Sequence, residues 1–399
     1  MQHRIIVLGA GYAGAIAAGR LAKRLRREDV AITLVNAEPD FVERVRMHQL
    51  AVGQELRPRP FGEMFAGTGV EPVLAKVTGV DADRRTVTVT DGTGGSEQLT
   101  YDTLVYALGS GWDTHGVPGV AEHAHEIASR PGALRLRERL AGLDAGRPVV
   151  VVGGGLTGLE AATEIAESRP DLDVSLAVRG DLGDWLSAKG RRHLRKVVDG
   201  LGVTVHERTS VTAVGADRVT TADGRSLPAA VTLWTTGFAV HPLARATTLE
   251  TTGTGRIVVD STMRSLSHPE VYAIGDAALV QGPGDKPLRM SCASGVPTAW
   301  QAADAIAARL TGGKLPNTPL RYFNQCVSLG RKEGLIQYVT ADDRSVDVAL
   351  TGRLAALYKE LVCKGAAWSV ANPTLGVPSR RRALVHAPAA PVTPLRPAA

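Results

Sequence analysis

Arg4-Ile5-Ile6-Val7-Leu8-Gly9-Ala10-Gly11-Tyr12-Ala13-Gly14 decides how the N-terminal part of this chain folds. The apolar run stops at Gly9, as a buried parallel strand does. Tyr12 to Leu25 then has helical character, with small residues on the face that must approach a sheet. Ala31 to Val35 is a second buried-strand pattern, so strand, glycine turn, helix and strand form a right-handed βαβ unit. Each glycine of the G-x-G-x-x-G turn has a physical task. Gly9 makes the turn, Gly11 lets a pyrophosphate approach the backbone, and Gly14 lets the helix pack on the strand. The helix start at Tyr12 and Ala13 offers unpaired N–H donors and a positive dipole end to that phosphate. Asn36, followed by Ala37, ends the second strand where many such folds place an acid. Its amide suits a ribose hydroxyl, with Glu38 as the alternative.

The same order of events returns later. Pro148 to Val152 reads as a strand, Gly153-Gly154-Gly155-Leu156-Thr157-Gly158 as a glycine turn, Leu159 to Glu167 as a helix, and Val174 to Val178 as a strand. Gly153, Gly155 and Gly158 repeat the spacing of Gly9, Gly11 and Gly14. Val178-Arg179 stands where an acid would select the 2′-hydroxyl of NADH. An arginine suits the 2′-phosphate of NADPH, and a loop arginine on the surface is the plainer reading. Glu160, early in the helix, is either a carboxylate favoured by the helix dipole or a contact to a nicotinamide. Two nucleotide units in one chain imply two dinucleotides that meet.

Three further motifs extend this reading. Tyr101 to Ser110 (YDTLVYALGS, with Ala107 and Gly109), Leu233 to Phe238 (LWTTGF, with Gly237), and Val271 to Ala278 (VYAIGDAA, with Gly275 and Asp276) follow the first glycine turn in order. The set resembles the two-dinucleotide flavoprotein reductases, and within them the type II NADH dehydrogenase-like group, over about residues 4 to 340. The resemblance implies an α/β fold of two Rossmann-like domains, with the NAD(P) domain inserted in the FAD domain. It assigns 1–112 and 260–312 to FAD, 113–259 to NAD(P), 313–386 to a small C-terminal α+β piece, and 387–399 to a disordered tail. Asp276 would bind the ribityl chain. A helix expected from Pro297 to Leu310 would aim its N-terminus at the flavin, making Ser294, Gly295, Val296 and Pro297 contact candidates. Arg44, Arg46, His48 and Gln49 would approach FAD phosphates or the acceptor pocket; a charged amphipathic helix is the competing reading. The implied activity is hydride transfer from NADPH or NADH to FAD, then two electrons to a quinone-like small-molecule acceptor. A flavin oxidase or tailoring dehydrogenase acting on a small metabolite, and a non-catalytic flavin-binding scaffold, are the alternatives.

Composition narrows the classes. The chain has 399 residues, 44% of them hydrophobic and 22% charged, enough for two or three domains with sizeable cores. Its net charge of +6 is spread among interleaved acids and bases. No basic stripe marks a nucleic-acid binder. Arg380-Arg381-Arg382 is the one tight cluster, expected as a solvated terminus or a contact to acidic lipid. Cys292, Cys326 and Cys363 are too far apart in sequence for a zinc knuckle or redox pair, and no metal site is expected. Phe41 to Gly53 lacks the cysteine pair of the disulfide reductases. Cys292 reads as a small buried apolar residue or a neighbour of the flavin. The immediate entry into a strand leaves no signal-peptide core, so a cytoplasmic location is expected, with a peripheral place at the inner membrane face as the alternative. Leu354, Leu357, Leu361 and Val362 make an apolar stripe on a helix expected over 352–363, explained by core packing, a homodimer contact or lipid.

Overall fold

A computed structural model describes residues 2–372, 374 and 381–385. The first βαβ unit is β1 (His3–Leu8), α1 (Tyr12–Arg24) and β2 (Val30–Asn36). With β3 (Val70–Leu74) and β4 (Thr103–Tyr106) it forms a parallel sheet ordered β4-β1-β2-β3. Ile5, Val7, Leu8, Leu34 and Val35 are buried, as strands covered on both faces must be. An antiparallel sheet of Lys76–Asp81, Thr86–Thr90 and Ser96–Thr100 fills the crossover from β3 to β4, where a helix would otherwise lie.

The second unit repeats the plan with β5 (Pro148–Val152), α2 (Leu156–Ser168), β6 (Asp173–Ala177), β7 (Thr204–His206) and β8 (Val231–Trp234). These strands pair in the parallel order β7-β6-β5-β8, and Ala124–His125 adds the edge. Here too a small antiparallel sheet, Val211–Val214, Arg218–Thr221 and Ser226–Pro228, occupies the last crossover. The chain then returns to the first sheet, where β9 (Val271–Ala273) pairs beside β4. A two-stranded ribbon, Ser110–Trp112 with Phe238–Val240, ties the two units together.

α3 (Cys292–Thr311) packs along α1 through small residues. Gly14, Ala17 and Ala18 of α1 and Ala299, Ala302 and Ala303 of α3 are buried there. Asp304 fastens the far end by accepting from Arg20 at 2.6 Å, and Arg24 lies 2.5 Å away. The sequence expectation placed the start of α3 at Pro297. It starts at Cys292, and Pro297 lies inside the helix. Proline is a start signal because it lacks the N–H that the first turn does not use. Here the turn is already made upstream, by Ser294 and Gly295 N–H groups donating to the Ser291 carbonyl.

The C-terminal piece is an antiparallel sheet of β10 (Asn324–Ser328), β11 (Gly334–Val339) and β12 (Ser345–Thr351), closed by α4 (Arg353–Ala371). α4 runs well past the expected end at Cys363. Its stripe faces outward: Leu354, Leu357 and Leu361 are 68%, 57% and 60% exposed, so core packing does not explain them. The basic cluster also departs from expectation, in its backbone. Arg381 and Arg382 are docked on α1, with Arg382 N–H donating to the Arg24 carbonyl at 2.9 Å and Arg26 N–H to the Arg382 carbonyl at 3.1 Å. The backbone is held here, while the Arg382 side chain stays exposed as expected; Arg380 and the tail expected from 387 lie outside the described residues. No helix among the described residues is long and apolar enough to cross a membrane.

Candidate functional site

The first glycine turn obeys its stereochemistry closely. Gly9 has φ +90°, and a Cβ there would stand 2.5 Å from the Ala107 carbonyl oxygen. A Cβ on Gly14 would stand 1.8 Å from the Gly9 carbonyl oxygen. Gly11 is the opposite case, because a Cβ there would meet nothing within 4 Å. No side chain caps α1, whose early N–H groups therefore point into open space. This is a cradle of the polarity a phosphate takes. Asn36 is committed more locally than expected: its Oδ1 accepts from Ala10 N–H at 2.9 Å, and its Nδ2 donates to the Glu38 carbonyl. The amide braces the turn from the strand end, beside exposed Ala37.

The remaining motifs of the first unit converge on this cradle. Gly275, at φ +65°, has its would-be Cβ 3.3 Å from the Ala13 methyl, and the would-be Cβ of Gly295 lies 3.7 Å from that same methyl. Gly275 N–H donates to the Thr298 hydroxyl at 3.2 Å. Asp276 accepts from the Ser110 hydroxyl at 2.6 Å, and Arg44 stands 3.5 Å from its carboxylate while donating to Ser110 at 3.2 Å. Gly109, at φ +68°, makes the turn that delivers Ser110. Val296 and Pro297 are half-buried on the next turn of α3. Thr298 and Ser110 escaped the sequence reading. Ser110 ends a quoted motif, and Thr298 follows Pro297, but neither residue type signals a role by itself.

The second turn is built alike. Gly153 has φ +126°, and a Cβ on Gly158 would stand 1.9 Å from the Gly153 carbonyl oxygen. Gly155 opens on empty space at the uncapped start of α2. Gly237, at φ +120°, lies against His115, whose ring nitrogen meets the Thr236 carbonyl. Arg179 is exposed just past β6, with no ion pair among the described residues.

Glu160 does not stand free at the helix start. Its Oε1 lies 3.0 Å from Lys359 Nζ of α4 and accepts from Ser328 N–H at 3.1 Å. Lys359 also donates to the Cys326 carbonyl at 3.1 Å. Burial opposes the Glu160 carboxylate, yet the Lys359 ammonium and the Ser328 N–H beside it hold it below the usual range. Burial equally opposes the Lys359 ammonium, and Glu160 holds it well above its ordinary value. His48 Nδ1 is 4.0 Å from Glu160, but burial lowers that imidazole to about 4, so at neutral pH the approach is not an ion pair. Arg46, His48 and Gln49 are buried, His48 and Gln49 on the short helix Met47–Ala51. Arg46 bonds Glu43 at 3.1 Å and Glu360 of α4 at 3.0 Å, linking this segment to the C-terminal piece.

The three cysteines, separate in sequence, all lie within electrostatic reach of Lys359 and Glu160, and burial pushes each thiol up, Cys326 to about 11. All three are free. Among the described residues no group of histidine, cysteine and acidic side chains could hold a metal ion. A cavity of about 330 Å³ opens beside Lys359, lined also by Gln49, Ser328, Arg331, Leu357 and Cys363.

Two glycine-turn nucleotide units, one with the Asp276 cluster beside its cradle, define a flavoprotein reductase of the two-dinucleotide class. The chain belongs to the pyridine nucleotide-disulphide oxidoreductase family, whose model matches residues 3–307. It is 32% identical over 320 residues to an NADH dehydrogenase-like protein of Mycobacterium tuberculosis, covering 74% of this chain and 77% of that one. To the demethylphylloquinone reductase of Synechocystis it is 26% identical over 378 residues, covering 90% and 91% of the two chains. The fold matches that of NDH2 from Plasmodium falciparum, solved in complex with NADH, at TM-score 0.78 and 14% identity, covering 96% of this chain and all of that one. Membership makes the chain an oxidoreductase working with FAD and a pyridine nucleotide. The disulphide half of the family name has no vehicle in Phe41 to Gly53.

Proposed function

We propose that this enzyme takes two electrons from NAD(P)H through FAD to a quinone-like organic acceptor. The observation that carries the reading is the pair of uncapped glycine cradles, Gly9–Gly14 and Gly153–Gly158, in one chain with the Arg44–Ser110–Asp276 cluster. FAD supplies the two-electron chemistry; the protein orients and screens it. Residues 1–112 with 260–312 form its domain in this reading, 113–259 the nicotinamide domain, and 313–386 the closing piece. The α1 start holds the pyrophosphate, with Asn36 and Ala37 at the ribose. Asp276 takes the ribityl hydroxyls, and Ala107, Val296 and Pro297 flank the ring. Gly155 opens the second cradle to the nicotinamide dinucleotide. In this reading the cavity that Lys359 lines is the acceptor side, and the Lys359 ammonium, paired with Glu160, is the proton donor there.

The relatives named for quinone reduction support this acceptor, and so does the absence of a cysteine pair in Phe41 to Gly53. A steady-state screen of short-chain quinones, disulfides, ferricyanide and oxygen tests it. Turnover with quinones well above oxygen is expected. Negligible quinone turnover with rapid peroxide formation would make the protein an oxidase instead.

Arg179 carries its own expectation. Exposed and unpaired among the described residues, it suits a 2′-phosphate, so NADPH should give the higher kcat/KM, and Arg179→Glu should reverse the order. A phosphate-to-arginine contact is worth roughly 1.5–3 kcal/mol, or ten- to over a hundred-fold in discrimination. Equal use of both nucleotides by the wild type would remove that role.

A further inference from the structure

Glu164 is fully buried on α2, four residues after Glu160 and so on the same face. The turn between β10 and β11 lies along this face and hands its backbone N–H groups to the polar side chains there. Ser328 N–H goes to Glu160 and Gly330 N–H to the Thr163 hydroxyl, each at 3.1 Å, and Arg331 N–H goes to Glu167. Glu164 is passed over. One of its oxygens accepts from Gln54 Nε2, while the other has no donor among the described residues and no solvent contact. An ionised carboxylate is costly in that position, whereas a carboxylic acid is not.

The surroundings agree. Burial raises Glu164, with Glu160 and Glu167 of its own helix adding to the rise, and Arg331 and Gln54 pull against it, leaving it at about 7. Of the neighbours, Glu160 is held low, Lys359 high and His48 at about 4, so at neutral pH none of these three sits between its two protonation states.

The proposed reaction needs such a group. Reducing a quinone consumes two electrons and two protons, and a nicotinamide gives up two electrons with one proton, so each turnover draws one further proton from solvent. We propose that Glu164 is a proton relay between solvent and the Glu160–Lys359 pair. Lys359 loses an N–H proton to an acceptor oxygen, the Glu164 acid proton passes through the Glu160 carboxylate to restore the ammonium, and water near Glu167 reprotonates Glu164. This rests on the acceptor reading above. The rival route is the cavity beside Lys359, which would bring water to the ammonium directly.

The test uses the holoenzyme with Glu164→Gln and Glu164→Asp, a short-chain quinone, and ferricyanide, which takes electrons without protons. Glu164→Gln should lower quinone turnover about ten- to a hundred-fold, toward the lower end of general acid–base effects, and erase an inflection near pH 7. Ferricyanide turnover should hold, and Glu164→Asp should keep most of the quinone rate. Independently of activity, the infrared C=O band of a protonated carboxyl should titrate near pH 7 in wild type and be missing in Glu164→Gln. An unchanged quinone rate and profile would overturn the relay in favour of the cavity route, and an equal fall with both acceptors would make Glu164 structural. A wild type that reduces ferricyanide but no quinone overturns the acceptor reading instead. The infrared titration then judges the carboxyl alone, and no band titrating near neutrality overturns the relay.

Discussion

Gly14→Val is expected to purify without its yellow cofactor and with a stability deficit of about 4 kcal/mol or more. The added Cβ would lie 1.8 Å from the Gly9 carbonyl oxygen and 3.3 Å from the Ala107 side chain. Backbone and not a flexible side chain stands in the way, so α1 must leave β1 and carry its N–H groups off the cradle. Two companion variants separate cofactor loss from misfolding. Gly11→Ala adds a methyl into open space, so it should fold normally and bind FAD more weakly. Gly158→Val makes the same clash in the second turn, 1.9 Å from the Gly153 carbonyl oxygen. It should stay yellow while losing reduction by the nicotinamide. Flavin absorbance per protein and thermal melting check all three, and a fully flavinated Gly14→Val would dissociate this turn from FAD.

Lys359→Met is the second large effect. The ammonium is the partner of a buried carboxylate, and removing one member of such a pair costs about 3–5 kcal/mol because the other stays buried and uncompensated. Glu160→Gln should cost a similar amount by stranding the ammonium. The double variant should recover much of the loss, which a sum of independent effects would not do. The pH dependence has a definite sign. In wild type the folded Glu160 value is depressed, so its stabilisation is present above the unfolded value and lost as pH falls through the folded one. Without Lys359, burial raises the folded value above the unfolded one. The penalty in Lys359→Met is then largest at neutral pH and shrinks as the solution is acidified. Urea denaturation at about pH 8 and about pH 5 measures this; a deficit that grows toward acid would show that Glu160 was never the stranded charge.

Both glycine turns were legible because each is local: a strand, three glycines and a helix write their purpose within a short stretch. Gly275 and Asp276 were legible through their order among the other motifs. The structure then placed Gly275 against Ala13 and Gly295, and Asp276 beside Ser110 and Arg44. What escaped the sequence was long-range. Nothing local marks Lys359 until β10 and α4 bring it to Glu160, about 200 positions away in the chain. Glu164 reads as one more helical glutamate until the β10–β11 turn covers its face. Pro297 misled for a physical reason, since a proline marks a helix start only when no earlier turn has formed, and Ser291 had already made one. That the chain at Arg381 and Arg382 is held escaped the sequence because its partners are backbone groups of Ala22, Arg24 and Arg26, which no side-chain pattern reveals.

The central claim is that one chain brings a nicotinamide and a flavin together for two-electron transfer to an organic acceptor. Anaerobic stopped-flow mixing of the purified holoprotein tests it most directly, first with NADPH or NADH and then with a short-chain quinone. The flavin absorbance should bleach within the enzyme's turnover time with at least one nucleotide, and the quinone should restore it. A flavin that stays oxidised with both nucleotides, or a protein that neither contains nor takes up FAD, would contradict it.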